Sequence, residues 1–258
     1  MSDNQNTNET LTPGKPSLPP LTKKQKWIKE AKSIFWIILL VLAFRSVFYE
    51  PFRIPSGSMI PTLMIGDFIL VDKFAYGLKL PFSDWFTDPV YIAGKKGPNR
   101  GDIIVFKYPK DTSINYIKRV VGLPGDVIEI RNKVVYINDQ PLENPAEISP
   151  EKYMGDMDEK FKMYNFKFYQ AKTGEHQHII AENVDNYFKA DYEKRQIPPD
   201  QYFVMGDNRD FSADSRYWGY VPFAYIKGRA LMVWFSLIFP WDENGFKFRP
   251  GRIGDILK

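Results

Sequence analysis

Hydrophobic residues form one long block near the N-terminus of the chain and many short blocks after it. The long block, 33–44, carries no charge, and the wider stretch 31–49 reaches the roughly 20 residues of a membrane span if Lys32 and Arg45 extend to the two interfaces. Hydrophobic residues cover every side of such a helix, whereas a core helix has a polar stripe. Because lysines precede the block, the pattern predicts a cytoplasmic N-terminus and an extracytoplasmic location for everything after Tyr49.

Two other interpretations of this block are a cleaved signal peptide and a buried core helix. The signal peptide is disfavoured because no small-x-small cleavage site follows; the next residues are Arg-Ser-Val-Phe-Tyr-Glu-Pro at 45–51. Residues 1–22 are rich in Asn, Thr, Pro and Ser, which predicts a disordered cytoplasmic tail. We therefore interpret 23–49 as a basic flank and an uncleaved transmembrane anchor.

Beyond residue 66 the pattern changes to short runs of β-branched and aromatic residues separated by Gly, Pro and Asn-Asp. Such runs are typical of antiparallel all-β domains. They predict strands at 67–73, 100–109, 116–121, 127–130, 134–137 and 202–205. The run 230–239 is too short to cross a membrane, and we interpret it as a buried strand that ends in membrane-facing aromatic residues.

These patterns predict a mostly β fold: an N-terminal transmembrane helix followed by an antiparallel β domain. The β domain comprises 50–130 and 200–258. Residues 131–199 are more polar and less periodic, and they are predicted to form an inserted, smaller β-rich lobe.

Composition narrows the possible chemistry. The 258-residue chain has no cysteine, which excludes disulfides, thiol nucleophiles and thiolate metal sites. Its two histidines, His176 and His178, lie in a polar setting and are expected to be exposed rather than to bind a metal. A net charge of +4, without a basic run interleaved with aromatics, does not indicate a nucleic-acid partner.

Two serines lie between two prolines shortly after the hydrophobic block, in the sequence Pro-Ser-Gly-Ser-Met-Ile-Pro at 55–61. Proline and glycine predict a shaped loop, which could hold a serine hydroxyl and backbone N–H groups toward a reacting group. Local composition alone favours a simpler interpretation, an ordinary turn after a membrane helix.

Lys118 is embedded in a predicted strand, and alternation puts it on one face with Tyr116 and Val120. Burial of that face would lower the pKa of the lysine, and a neutral amine can act as general base to a serine hydroxyl. The alternative is a lysine on an exposed sheet face beside Arg119.

The loop 206–219 mixes turn formers with alternating charges, and the simplest interpretation is a solvated loop. Asp214 and Arg216 share a face on an extended backbone and could form ion pairs. If Lys118 is a base, Asp214 must engage arginine, because a carboxylate in contact with the lysine would stabilise its charged form. Ser212 is a candidate hydrogen-bond partner of the lysine.

Two short motifs resemble parts of the penicillin-binding set: Ser-Pro-Glu-Lys at 149–152 and Lys-Thr-Gly at 172–174. The third element, Ser-Asp-Asn, occurs only at 2–4 in the predicted tail. Pro150 and the missing helical pattern also disfavour that interpretation.

Five segments in order resemble bacterial type I signal peptidases (leader peptidases), which are membrane-anchored Ser-Lys endopeptidases. These segments are 48–59 with 73–77, 100–109, 116–126, 206–219 and, more weakly, 252–254. The resemblance implies that Ser58 is the nucleophile and Lys118 the general base. It further implies that Ser56 and the Ser58 N–H form the oxyanion hole.

By the same resemblance, Ser212 orients the lysine, and Asp214 and Arg216 brace the loop. The substrate is the small-x-small end of a signal peptide on an exported preprotein, docked as an extended strand. The residues expected to line its pockets are Phe52, Ile54, Pro55, Met59, Leu63, Tyr116 and Ile117. The resemblance implies no metal, no organic cofactor and no particular oligomeric state.

The expected location is the cytoplasmic (inner) membrane, with a single span in contact with lipid and an extracytoplasmic catalytic domain. Two alternatives stay open: a specialised processing peptidase of the same family, and a catalytically inactive, membrane-tethered binding module. The presence of Ser58, Lys118 and Ser212 disfavours the inactive module.

Overall fold

A computed structural model describes residues 22–83, 88–142, 145–149, 151–186, 190–239 and 245–257. The chain divides into two units, Met1–Leu42 and Ala43–Lys258. The predicted disordered tail lies, except for Thr22, outside the described residues.

Helix α1 (Lys23–Val47) contains the long hydrophobic block. Thr22 and Gln25 cap its start reciprocally: the Gln25 N–H donates to Thr22 Oγ1 and the Thr22 N–H donates to Gln25 Oε1. Judged on length, hydropathy and charge together, none of the helices in the described part of the chain qualifies as a membrane span. The predicted helix is thus present, but its predicted crossing of a membrane is not supported by this criterion.

Most of the strands are short, as the sequence pattern predicts, but two reach 12 and 13 residues. The strands are β1 (Tyr49–Arg53), β2 (Asp67–Asp72), β3 (Leu78–Lys79), β4 (Tyr91–Ala93), β5 (Ile103–Tyr108), β6 (Asp111–Gly122), β7 (Val127–Arg131), β8 (Val134–Ile137), β9 (Gln140–Pro141), β10 (Ala146–Ile148), β11 (Phe166–Thr173), β12 (His176–Asn183), β13 (Tyr192–Gln196), β14 (Gln201–Met205), β15 (Val221–Pro222), β16 (Ile226–Ile238) and β17 (Lys247–Phe248). The short helices are α2 (Glu151–Met154), α3 (Glu159–Lys162) and α4 (Ser215–Trp218), with 3₁₀ turns at Phe223–Tyr225 and Pro250–Arg252.

The main sheet has the order β1-β2-β16-β5-β6-β14-β15, and β17 pairs with β16. Its neighbouring strands run antiparallel, so the prediction of a mostly β, antiparallel domain is confirmed. The predicted strand at 230–239 corresponds to the second part of β16, in which two register shifts interrupt strict alternation of buried and outward residues. Ala230, Val233 and Ser236 are buried, whereas Trp234 is 44% exposed.

Smaller sheets, β10-β11-β12 and β13-β7-β8-β9, contain most of the predicted lobe. The loop 54–66 between β1 and β2, which we call the serine loop, carries Ser56 and Ser58. Phe166 and Phe168 of β11 share one hydrophobic cluster with Ile60, Met64 and Ile65 of this loop. The boundary at 131–199 stays a prediction, but residues inside it form part of the packing around the loop.

Two features of the main sheet position the site. The serine loop connects the antiparallel neighbours β1 and β2, and its ends are closed by hydrogen bonds from Ile54 N–H to Asp67 O (2.8 Å) and from Gly66 N–H to Ile54 O (2.9 Å). Strand β6 lies between β5 and β14, with Lys118 opposite Ile104 in the β5 register. The loop and the lysine are thereby brought together from distant parts of the sequence.

Candidate active site

Ser58 and Lys118 are in direct contact. Lys118 Nζ donates a hydrogen bond of 2.6 Å to Ser58 Oγ and one of 2.8 Å to the Ile117 carbonyl. Ser58 is 8% exposed and Lys118 4%. The alternative of a lysine on an exposed sheet face is therefore wrong, because the loop that carries Ser58 contacts the amine on this face of β6.

Burial changes the acidity of this lysine. Loss of water around the ammonium lowers the pKa of Lys118 from 10.5 to about 8. The charges of Asp214 and Asp207 oppose this effect, and the charge of Arg216 assists it. Tyr116 lies on the same side of the strand, with its ring centroid 5.4 Å from Lys118 Nζ. The amine is therefore deprotonated much more readily than that of an ordinary lysine.

The backbone around Ser58 is held by Asn208. The Asn208 N–H donates to the Ser58 carbonyl (3.2 Å), and Asn208 Nδ2 donates to the Gly57 carbonyl (3.0 Å). Within the part of the chain that the structure describes, the Ser58 N–H donates to no acceptor. Ser56 is exposed, and its hydroxyl lies 3.5 Å from Ser58 Oγ. The Ser58 N–H and the Ser56 hydroxyl are therefore two hydrogen-bond donors close to Ser58 Oγ.

Asp214 and Arg216 form a buried, bidentate ion pair, with Nε to Oδ1 at 2.8 Å and Nη2 to Oδ2 at 2.9 Å. Asp214 also caps α4 and accepts from the Gly206 N–H at 3.1 Å. Burial by itself raises the pKa of Asp214, but the guanidinium and these hydrogen bonds outweigh it, and the pKa lies below its usual value. The predicted pairing of Asp214 with arginine rather than with Lys118 is confirmed.

Ser212 departs from the prediction. Its hydroxyl is buried and makes no hydrogen bond to Lys118, so the predicted bond is absent; Ser212 interacts with the Asp214 carboxylate and helps to lower its pKa. The hydroxyl lies instead close to Gly206: a Cβ built on that glycine would lie 2.3 Å from Ser212 Oγ. Lys118 Nζ is oriented by the Ile117 carbonyl and Ser58.

Asp207 is a buried centre that the sequence interpretation missed. It accepts two hydrogen bonds from Arg119, at 2.8 and 2.7 Å, and a third from Thr62 Oγ1. Burial raises the pKa of Asp207, but Arg119 outweighs this effect and brings the pKa to about 2. The position of Arg119 next to Lys118 was the available signal, because an arginine in a buried strand needs an acidic partner.

Both histidines were predicted to be exposed, and this is wrong for His178. It is 7% exposed, and Nε2 lies 3.9 Å from Asp207 Oδ1, because the alternation of β12 turns this position inward. The side chain of His176 is 27% exposed and lies 3.6 Å from Asp102. No group of three or more metal-binding side chains occurs within the described ranges.

The end of the serine loop has its own brace. Arg252 donates to Asp67 at 2.7 Å and to the Thr62 carbonyl at 2.9 Å. Ser236 Oγ and the Met64 N–H also donate to Asp67, which is fully buried. The weak similarity noticed at 252–254 thus corresponds to a contact with the loop.

Most of the predicted pocket residues meet in one hydrophobic cluster. Ile54, Met59, Leu63 and Ile117 are buried there, and Phe52 packs against it. Pro55 is exposed, and Tyr116 lies outside this cluster, stacked on Tyr108 with ring centroids 4.4 Å apart. The structure therefore groups five of the seven residues in one cluster.

A cavity of about 890 Å³ lies at the opposite end of the serine loop, lined among others by Pro61, Thr62, Met64 and Arg249. Neither Ser58 nor Lys118 lines it. The size of this cavity therefore does not identify the chemical site; the contact between serine and lysine does.

A serine hydroxyl hydrogen-bonded to a desolvated amine, within an antiparallel β domain, is an arrangement that serine peptidases of the Ser-Lys type use. The family model for signal peptidase, peptidase S26, matches residues 25–235. The chain belongs to this family, and it is a serine endopeptidase, a hydrolase of protein secretion.

Named relatives agree with this assignment. The chain is 42% identical to Signal peptidase I of Pseudomonas aeruginosa, over 93% of this chain and 82% of the relative. It is 36% identical to Signal peptidase I of Rickettsia typhi, over 92% of this chain and 90% of the relative. A solved signal peptidase I from Enterococcus faecalis V583 is 30% identical, covering 52% of this chain and 97% of that structure. Its TM-score is 0.31, which is too low to support an argument about the fold.

Proposed function

We propose that this peptidase removes signal peptides from exported preproteins by cleaving after a small-x-small motif, with Ser58 as nucleophile and Lys118 as general base. The observation that carries the proposal is the 2.6 Å contact between Lys118 Nζ and Ser58 Oγ at a site where the pKa of the lysine is about 8. Serine needs a base to become nucleophilic, and an amine with such a pKa is partly neutral near physiological pH.

The reaction proceeds in two halves. Neutral Lys118 takes the proton of Ser58 Oγ as this oxygen attacks the carbonyl carbon of the scissile bond. The resulting ammonium gives its proton to the departing amine, which leaves Ser58 acylated by the signal peptide. Lys118 is then neutral again and deprotonates a water molecule, whose oxygen attacks the ester. Ser58 recovers its proton, and the signal peptide leaves with a carboxylate.

The negative charge on the attacked oxygen is stabilised by the Ser58 N–H and the Ser56 hydroxyl. The lack of an acceptor for this N–H among the described residues supports its assignment, as does the short distance between the two hydroxyls. Removing one such donor typically costs about 10²–10³-fold in kcat. Ser56→Ala tests this assignment: we expect a loss of kcat with little change in KM, measured on a peptide substrate.

The substrate pairs as an extended strand beside β6. Strand β14 pairs with β6 only from Arg119 to Gly122 in the described structure, so the backbone of β6 before Lys118 has an open edge. The cluster of Ile54, Met59, Leu63 and Ile117 forms the base of the two pockets. Because this base is already densely packed, only small side chains fit above it. Peptides with Ala-x-Ala should be cleaved, whereas Leu at either small position should reduce kcat/KM strongly.

Membrane anchoring forms a further part of the proposal. Helix α1 exposes large hydrophobic side chains, among them Phe35 (60%), Trp36 (64%) and Leu40 (71%), which water solvates poorly. We assign this helix to the cytoplasmic membrane, with the N-terminus in the cytoplasm and the catalytic domain on the other side. Carbonate extraction tests it: the wild-type chain should stay with the membranes, and Leu40→Lys should weaken retention. Complete extraction of the wild-type chain would contradict anchoring.

The decisive experiment is cleavage of a purified preprotein by the full-length chain in detergent. Ser58→Ala and Lys118→Met should each abolish cleavage, whereas Ser149→Ala and Lys172→Met should not. The control positions are exposed and belong to the alternative penicillin-binding motifs. Cleavage by Ser58→Ala at the wild-type rate would overturn the nucleophile, and an inactive wild-type chain would favour the binding module.

A further inference from the structure

Gly57, between the two serines, is in contact with an aromatic ring from the predicted lobe. A Cβ built on Gly57 would lie 2.4 Å from Phe161 Cζ, 2.5 Å from Phe161 Cε2 and 2.9 Å from Ile60 Cδ1. Such distances are far below a van der Waals contact, so the edge of the ring occupies the space that a side chain at Gly57 would need. Glycine is therefore required here by close packing.

Phe161 is firmly held. It lies in α3, is 7% exposed, and its N–H donates to the Asp158 carbonyl at 2.9 Å. Its ring packs edge-on against Phe211, with centroids 5.5 Å apart and planes at 84°. Phe211 directly precedes Ser212. One ring thus touches both loops of the active site.

The peptide between Gly57 and Ser58 is consequently restrained in three ways. The Gly57 carbonyl accepts hydrogen bonds from Asn208 Nδ2 at 3.0 Å and from the Ile60 N–H at 3.2 Å, and the Phe161 ring blocks movement of the Gly57 α-carbon in its direction. The orientation of this peptide plane determines where the Ser58 N–H points. An N–H donor stabilises an oxyanion only when it is aimed at the position of the developing charge.

We propose that Phe161 is a positioning residue: its ring sets the Gly57–Ser58 peptide plane and thereby aims the Ser58 N–H at the oxyanion. The inference rests on the proposed function, in which this N–H is part of the oxyanion hole. Through Phe161 the predicted lobe would take part in catalysis without contacting the substrate.

The main test is Phe161→Leu in the full-length chain, assayed with an Ala-x-Ala peptide. Leucine is too short to reach Gly57, so we expect kcat to fall by about 10–100-fold, because small misplacements of reacting groups have effects of this size. KM should change by less than about twofold, since the pockets are untouched and the lost contact acts in the transition state. If the leucine variant folds poorly, Phe161→Met can replace it, because methionine better keeps the volume of the cluster. This variant should show the same fall in kcat with a nearly unchanged KM.

Phe168→Leu is the matched control. Phe168 is fully buried in the same cluster, but no atom of it is among those nearest to Gly57. This variant should lose thermal stability to a similar extent, while kcat stays within about twofold of wild type. Equal losses of kcat in the two leucine variants would overturn the inference.

A double substitution provides a rescue. Gly57→Ala should be nearly inactive, because its Cβ collides with the ring. In the Phe161→Leu background the same substitution should be tolerated better, with at least about tenfold higher kcat than Gly57→Ala alone. Additive losses would contradict a direct contact. If Ser58→Ala is active, the proposed function fails; if it is inactive but the leucine variants behave alike, only the role of Phe161 fails.

Discussion

Lys118→Met should inactivate the enzyme and also make it more stable. The lysine is 4% exposed and carries a proton in a place where water cannot solvate its charge. Methionine has a similar length and no charge. The same desolvation that makes the amine a usable base therefore destabilises the folded chain, and the substitution removes both effects at once.

The magnitude follows from the lowered pKa. The pKa of Lys118 falls from 10.5 to about 8, and at about 1.4 kcal/mol for each pKa unit the charged form costs about 3.5 kcal/mol on folding. Methionine loses two hydrogen bonds, one to Ser58 and one to the Ile117 carbonyl, and at about 1 kcal/mol each this offsets about 2 kcal/mol. The net expectation is a gain of about 1.5 kcal/mol at pH 6–7.

The pH dependence provides the sharper test. Between about pH 8 and 10.5 the unfolded lysine binds a proton that the folded lysine does not, so wild-type stability rises with pH in this window. The cost is fully present below pH 8 and disappears above 10.5. The gain in the free energy of unfolding that Lys118→Met gives over wild type should therefore shrink as the pH rises. At the alkaline end the variant should be slightly less stable than wild type.

The assay is urea denaturation of the full-length protein in mild detergent, at pH 6.5 and at pH 10. Lys172→Met is the control, because that lysine is exposed. It should leave the free energy of unfolding nearly unchanged at both values. A Lys118→Met protein that is no more stable than wild type at pH 6.5, with a difference independent of pH, would refute the reasoning.

Three further predictions concern the charges of the site. Because Lys118 acts as a neutral base, kcat/KM should rise with pH and level off above an apparent pKa near 8 in a pH–rate profile. Asp214→Asn leaves the buried Arg216 without its ion-pair partner, and chemical denaturation should show that the free energy of unfolding falls by about 3–5 kcal/mol. The inflection of the pH–rate profile of this variant should also move to lower pH, since Asp214 raises the pKa of Lys118. Arg252→Met removes the ion-pair partner of the fully buried Asp67. The melting temperature of this variant should therefore lie well below that of a control in which an exposed arginine is replaced by methionine.

Local sequence patterns predicted much of the fold because they depend only on neighbouring residues. Alternation and turn residues identified β2, β5, β6, β7, β8 and β14 and the strand character of 230–239. The pairing of Asp214 with arginine followed from electrostatics alone, since a carboxylate on Lys118 would have prevented its use as a base. The hydrogen bond predicted from Ser212 to Lys118 is absent, because the hydroxyl lies beside Gly206 and the Asp214 carboxylate.

The sequence by itself thus determined these strands, the helix at the hydrophobic block, and the choice of Ser58 and Lys118 as candidate nucleophile and base. Only the tertiary structure decided that they touch, because Ser58 and Lys118 are 60 positions apart and meet through the order of strands in the sheet. The burial of His178 and the contact of Phe161 with Gly57 were decided in the same way. Periodicity states which face a side chain occupies, whereas burial, pKa and loop geometry depend on which distant element packs against that face.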